Sequence, residues 1–175
     1  MTNVIVGSNI DAINNAENTA QLLGFNTIVI TTSLQGEASQ IGKTIANDIK
    51  KMFWSSSIIS RPACMIAGGE TTVTVTGTGK GGRNQELALG AVSELSGSEQ
   101  IILSSLSTDG GDGPTDAAGA VVTNETYLRG MSIGLEPNDF LLNNESYRYF
   151  NLLGDLIKTG PTLTNVNDLV FIFCL

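Results

Sequence analysis

Apolar and polar positions along the first third of the chain switch between the strand period and the helix period. Val4-Ile5-Val6 is a short β-branched run closed by Gly7, and Ser8 or Asn9 follows as a candidate helix N-cap. Ile13, Ala16, Ala20 and Leu23 then recur at helical spacing, and Gly24 stands where a left-handed C-terminal cap is wanted. Phe25 to Ile30 predicts a second strand, and Ala38, Ile41, Ile45, Ile49 and Phe53 stripe one face of a second helix. Strand, crossover helix and strand in that order imply a parallel pair, because parallel strands need a long connection.

Further along, Pro62 to Ala67 is an apolar strand, and Thr71 to Thr76 alternates Thr with Val as a strand covered on one face does. Gly68-Gly69 between them predicts a hairpin. Arg83 to Leu95 has helical spacing (Leu87, Ala91, Leu95), Ile101 to Leu106 reads as a strand and Ala117 to Val122 as a short extended segment. Helices are predicted over Thr126 to Ile133 and Ser146 to Ile157, before a last strand at Leu169 to Cys174. The expected fold is one α/β domain over residues 1–175: a mixed, mainly parallel sheet with helices on both faces and one β-hairpin.

Charge narrows the partners. Nine Lys and Arg against seventeen Asp and Glu leave a formal charge of -8, which repels nucleic acid and anionic bilayers. The absence of His removes the commonest general base and every His-containing metal motif. Chemistry must therefore rest on carboxylates, Lys, Arg, hydroxyls, backbone amides or an oxygen-liganded metal. Cys64 and Cys174 lie in apolar runs and read as core residues. The longest apolar run, Leu169 to Leu175, is too short to span a bilayer and no basic-then-apolar leader follows Met1, so a soluble, cytoplasmic protein is expected.

Candidate chemistry sits in the loops, since 12 of the 20 glycines fall between Gly68 and Gly119. Gly77-Thr78-Gly79-Lys80-Gly81-Gly82 follows a predicted strand and opens a predicted helix. Backbone N–H groups and the helix dipole there favour an anion, and Lys80 and Arg83 strengthen that reading. A hairpin loop with solvated charges is the competing reading. A dinucleotide site is disfavoured, because the next strand ends without the acid that would bind a ribose. Gly42-Lys43-Thr44 resembles the end of a phosphate loop, but Glu37 stands where that pattern needs glycine, and the residues belong to an amphipathic helix.

The second loop, Ser107 to Asp116, carries Asp109, Asp112 and Asp116 without a base among them. A hard cation such as Mg2+ on Asp109 and Asp112 would relieve their repulsion, whereas Asp116 serves equally well as a turn cap. A cationic and an anionic loop from successive strand ends suit a metal-bound polyanion, and phosphoryl transfer fits that description. A third polar loop, Thr159 to Asp168, precedes the last strand.

Three blocks together are familiar: Gly68-Gly69-Glu70-Thr71-Thr72-Val73 on to Gly81-Gly82-Arg83-Asn84-Gln85-Glu86, Thr108-Asp109-Gly110 to Ala117-Ala118-Gly119, and Leu153-Gly154-Asp155 to Asn167-Asp168. They resemble the C-terminal MOFRL domain of the glycerate 2-kinases, a family often labelled hydroxypyruvate reductases. The resemblance implies transfer of the γ-phosphate of ATP to the 2-hydroxyl of D-glycerate, with Mg2+. It implies Arg83 and Asp109 as catalytic residues, with Asn84 and Gln85 gripping substrate carboxylate or phosphate beside Arg83. Lys80, Gly81, Gly82, Thr108 and Asn165 join them as binding residues, Asp109 and Asp112 as metal ligands, and Glu70 and Asp116 in the second rank. It also implies a missing partner, the family's N-terminal domain, without which activity is weak or absent. Whether the chain forms a homo-oligomer stays open. This chain departs from the family in having Leu163 where Gly is usual and Glu145 where Asp is usual. Two other functions compete: an NAD(P)H-dependent hydroxypyruvate reductase, and a non-catalytic ligand-binding module.

Overall fold

A computed structural model describes residues 6–54, 60–98 and 100–175. The elements are α1 (Asn9–Leu22), β1 (Asn26–Leu34), α2 (Ala38–Trp54), β2 (Ala63–Gly69), α3 (Arg83–Leu95), β3 (Ile101–Ser107), β4 (Gly119–Thr123), α4 (Thr126–Ser132), α5 (Pro137–Leu142), α6 (Ser146–Leu153), β5 (Leu156–Ile157) and β6 (Asp168–Cys174). Val4 and Ile5 of the first expected strand lie outside the described residues, as does the side chain of Phe53. Ser8 caps α1 by accepting the Asp11 N–H, and Gly24, at φ 89°, turns the chain out of that helix.

One six-stranded sheet has the order β1-β2-β6-β3-β4-β5. It is mixed and has helices on both faces, as the patterning predicts. The balance of directions is the reverse of the expectation: β1–β2 is parallel, and the other four neighbouring pairs are antiparallel. The cause is β6, which enters the centre of the sheet antiparallel to both β2 and β3. Local periodicity links a strand to its sequence neighbours and carries no signal for such a long-range insertion.

The expected hairpin through Gly68-Gly69 does not form. Both edges of β2 are occupied, by β1 and β6, so residues 71–76 have no edge to pair with. Their polar groups turn elsewhere: Thr72 bridges Glu37, the Thr74 N–H donates to the Glu37 carboxylate, and the Thr76 N–H donates to Asn144 Oδ1. The antiparallel pair joined directly by a loop is instead β3–β4, across the acidic loop. The helix expected to reach Ile157 stops at Leu153, because Gly154 adopts φ 77° as a left-handed cap. The six-residue α5 begins on Pro137 and is too short to show a period.

Alternation along β2 divides the core. Cys64 and Ile66 pack with Ile13 and Ala20 of α1 and with Phe171 and Phe173, while Met65 faces Leu87, Val92, Leu103 and Ile172 on the other side. The two cysteines are free, buried and on opposite faces. Gly42 belongs to a helix crossing: a Cβ there would stand 1.9 Å from the Leu87 carbonyl oxygen of α3.

Candidate active site

The register of β6 brings three loops to one end of the sheet. Asp168, its first residue, pairs with Gly69 at the end of β2 and with Ser107 at the end of β3. Glu70 leaves from the first of these positions and the Asp109 loop from the second, while α3 starts beside them.

Arg83, the first residue of α3, clamps this end together. Its Nε and Nη2 donate to the two Asp168 carboxylate oxygens at 2.6 and 3.0 Å, and Nη1 lies 2.8 Å from Glu70 Oε1. The planar fork makes this bidentate pairing. Those carboxylates hold the guanidinium charged and push its pKa up, the Asp168 hydrogen bonds first among the causes. Glu70, a second-rank candidate in the sequence, lies beside Arg83. Asp168 was not a predicted site residue; only its position at the head of β6, unreadable locally, reveals it.

The glycine-rich loop is a seam packed against the α5–α6 turn. Asn144 Oδ1 accepts the N–H groups of Thr76 and Gly77, Asn143 Oδ1 accepts that of Thr78, and the Asn143 carbonyl accepts that of Gly79. Side chains would not fit: a Cβ on Gly77 would meet the Asn143 backbone at 2.4 Å, and one on Gly81 would meet Ser146 Oγ at 2.1 Å. Past the seam, Gly81, Gly82 and Arg83 line a cleft of about 560 Å³ together with Glu70, Thr71, Glu86 and Asn144. Lys80 lies outside that cleft, its ammonium 5.0 Å from the centre of the Tyr147 ring.

The start of α3 is already supplied with an anion, the Asp112 carboxylate. Its Oδ1 accepts the backbone and side-chain N–H groups of Asn84, and its Oδ2 accepts those of Gln85, at 2.9 to 3.3 Å. Asn84, Gln85 and Asp112 are all buried. Burial pushes the Asp112 carboxyl above the usual aspartate range, against the downward pull of those four donors. Asn84 and Gln85 consequently face Asp112 rather than a cleft, and a Cβ on Gly82 would strike Asp112 Cγ at 2.3 Å.

Asp109 is half-buried on the other side of that loop. Its Oδ1 accepts the Ser107 hydroxyl and the Gly111 N–H, and its Oδ2 accepts Asn165 Nδ2 at 3.2 Å. The Gly111 N–H, then the Ser107 hydroxyl, hold its carboxyl below the usual range, and the field of Arg83 adds to this. Thr108 bonds to Asn167 and Val166 and ties the third loop to the second. Asp109 and Asp116 line a second cleft of about 540 Å³, with Gly113 common to both clefts. Asp116 pairs with Lys158 Nζ at 2.9 Å and accepts the Tyr147 hydroxyl at 2.7 Å.

The three aspartates do not fit a shared Mg2+. Asp112 is turned under α3 with both oxygens engaged, and Asp116 is neutralised by Lys158. Among the described residues, no group of three or more His, Cys, Asp or Glu side chains gathers as metal ligands do.

Glu86 and Asn144 escaped the sequence reading. Glu86 is buried in the first turn of α3, with Oε1 accepting Asn144 Nδ2 at 2.9 Å. Burial pushes its carboxyl above the usual range, the Asn144 bond pulls it back, and Glu37 and Asp112 add repulsion. Its spacing of three from Arg83 on a helix was the available signal.

Residues 63–168 match the MOFRL family. The chain is 46% identical over 166 residues to a D-glycerate 2-kinase of Thermotoga maritima, covering 95% of the chain and 40% of the relative. It is 40% identical to a glycerate 2-kinase of Pyrococcus horikoshii, covering 96% and 38%, and 34% identical to a human glycerate kinase, covering 98% and 41%. The crystal structure of a glycerate kinase from Thermotoga maritima superposes with a TM-score of 0.95 at 44% identity, over 98% of this chain and 42% of that one. The chain thus spans about two fifths of the length of these relatives. Among the described residues, no helix is long and apolar enough to cross a membrane.

Proposed function

The chain belongs to the MOFRL family, and from that premise we propose that it is the C-terminal domain of a glycerate 2-kinase. The reaction transfers the γ-phosphate of ATP to the 2-hydroxyl of D-glycerate and yields 2-phosphoglycerate. An N-terminal domain supplies the rest of an interdomain site, and the chain alone turns over weakly or not at all.

One observation carries this reading: Arg83, clamped on Asp168, and the Asp109 loop, which leaves β3 beside Asp168, share one end of the sheet. Both substrates are anions, and catalysis of phosphoryl transfer is mostly positioning and charge neutralisation. Arg83, pre-aimed by Asp168 and Glu70, presents its remaining N–H groups to the first cleft, where Gly81 and Gly82 bring the backbone close to an anionic group. Asp109, kept ionised and oriented by Ser107, Gly111 and Asn165, holds the polar end of the second cleft. Asp112, Asn84 and Gln85 act beneath the site by fastening the acidic loop to α3. Asp109 and Asp112 do not turn toward one point for any Mg2+ accompanying ATP, and no step is assigned to it.

The test joins the chain to the N-terminal portion of the Thermotoga maritima relative and follows ATP-dependent formation of 2-phosphoglycerate. Turnover is expected, with a loss of about 100-fold or more in Arg83→Ala, as removal of a charge-stabilising group produces. Full activity of that variant removes Arg83 from the mechanism. Absence of turnover in the parent, with D-glycerate or MgATP still bound in calorimetry, favours a ligand-binding module.

A further inference from the structure

The first turn of α3 sets Arg83 and Glu86 on one helix face, and both line the cleft of about 560 Å³. Glu86 also lines the neighbouring cleft of about 440 Å³, so its carboxylate stands in the wall between the two. One oxygen is fixed by Asn144. The other makes no hydrogen bond among the described residues, and it is not among the buried side-chain atoms left without a partner. With the residue only 3% exposed, that free oxygen opens to a cleft rather than to bulk water. Resting on the kinase reading, the geometry points to Glu86 as the catalytic base that takes the proton of the D-glycerate 2-hydroxyl.

A general base needs a free lone pair, a fixed orientation and a pKa near the working pH. Asp109 fails the third requirement, because its carboxyl is held low, and three donors already share its two oxygens. Glu86 has the first two, and burial moves its carboxyl upward, the direction the third requires. Two carboxylates pushed in opposite directions by their surroundings divide the roles of proton acceptor and permanent charge. Asn144 is the positioning residue. At φ 51° it accepts the N–H groups of Thr76 and Gly77 and donates to the Thr74 carbonyl and to Glu86. Asn144 thereby ties the glycine-rich loop to the base. Charged groups around Glu86 are Arg83 and Glu70 in the first cleft, Glu37 and Lys43 in the second, and Asp112 beneath α3.

In the step, the 2-hydroxyl proton passes to the free Glu86 oxygen as the hydroxyl oxygen bonds to the γ-phosphorus of ATP. The bond from that phosphorus to the β–γ bridging oxygen breaks, ADP leaves with its electron pair, and Glu86 then releases the proton to water.

Glu86→Gln in the joined enzyme is the test, since it keeps the side-chain shape and an oxygen for Asn144. The expected result is a kcat about 10²- to 10⁴-fold lower, the usual weight of a general base, with loss of the rise of kcat with pH that the parent shows. KM values within about threefold of the parent separate this from damaged binding. A Glu86→Gln enzyme with parental kcat overturns the proposal. A parent that phosphorylates no D-glycerate sinks the kinase reading instead, and Glu86 is then decided on the 175-residue chain by NMR. D-glycerate that shifts the Asn144 side-chain amide signals and the Glu86 titration upholds a ligand site at Glu86; unmoved signals overturn it.

Discussion

Asp109 and Asp112 occupy the same loop, and the sequence assigns both to a metal, yet the fold treats them in opposite ways. Asp112 is 2% exposed, takes four N–H groups and has its carboxyl pushed up by burial. Asp109 is half-buried, takes three donors and has its carboxyl pulled down. Donors alone do not set the direction. Where water is excluded, desolvation outweighs four hydrogen bonds; where it is not, fewer bonds and one nearby guanidinium suffice. An acidic loop is thus two devices, one buried strut and one permanent surface charge.

The largest expected break in that comparison is Asp112→Ala. It leaves buried donors of Asn84 and Gln85 unpaired and uncaps α3, a cost of about 3 kcal/mol, while Asp109→Ala costs about 1 kcal/mol. Thermal unfolding of the chain should show the first as a fall of about 6–12 °C for a domain of this size. Equal losses from the two variants would erase the distinction drawn between them.

Next in size is Arg83→Lys. An ammonium cannot reproduce the fork on Asp168 while also reaching Glu70, so about 2 kcal/mol of stability should go, less than for a fully buried pair because the arginine side chain is 30% exposed. Denaturant unfolding that leaves Arg83→Lys level with the parent would show that the fork is not what binds the three loops.

A smaller effect separates the two kinds of carboxylate by pH. Asp109 has a lowered folded pKa, so its contribution is present above the ordinary aspartate range and disappears as pH falls below about 4. Glu86 has a raised one, so its contribution is full below the ordinary glutamate range and fades as pH climbs above about 4. Relative to the parent, Asp109→Asn should lose most stability near neutrality, whereas Glu86→Gln should improve between pH 4 and pH 7. Parallel stability curves for the two variants would contradict the opposite shifts.

The smallest effect belongs to the third loop. Leu163 adopts φ 62° with the residue 99% exposed, a conformation that costs a leucine about 1–2 kcal/mol. Leu163→Gly removes that strain but adds freedom to the unfolded chain, so a net gain of about 0.5 kcal/mol is expected. A lower melting temperature would mean that the leucine makes a contact of its own.

Much of the site was legible locally. Glycines at 81 and 82, the cation at Arg83 and the carboxylate at Asp109 mark themselves by residue type and by their place between regular elements. The neighbouring roles were not legible. Nothing in Asn84-Gln85 distinguishes a pair that grips a substrate from one that holds Asp112, because the difference is which way the first turn of α3 faces. Asn144 and Glu86 lie 58 positions apart and acquire meaning only through the hydrogen bond between them.

By itself the amino-acid sequence determined the elements whose signals are short-ranged: the cap at Ser8, the stop at Gly24, the stripe along α2, the apolar runs of β2 and β6, and a -8 charge that disfavours polyanionic surfaces. Only the tertiary structure decided that β6 enters the middle of the sheet and carries Asp168 to Arg83, and that one aspartate of the acidic loop turns inward. Capping and periodicity act over a few residues of one segment. Strand order and burial are set by free energies summed over surfaces that meet only when distant segments pack, and the charges at the site take their pKa values from that packing.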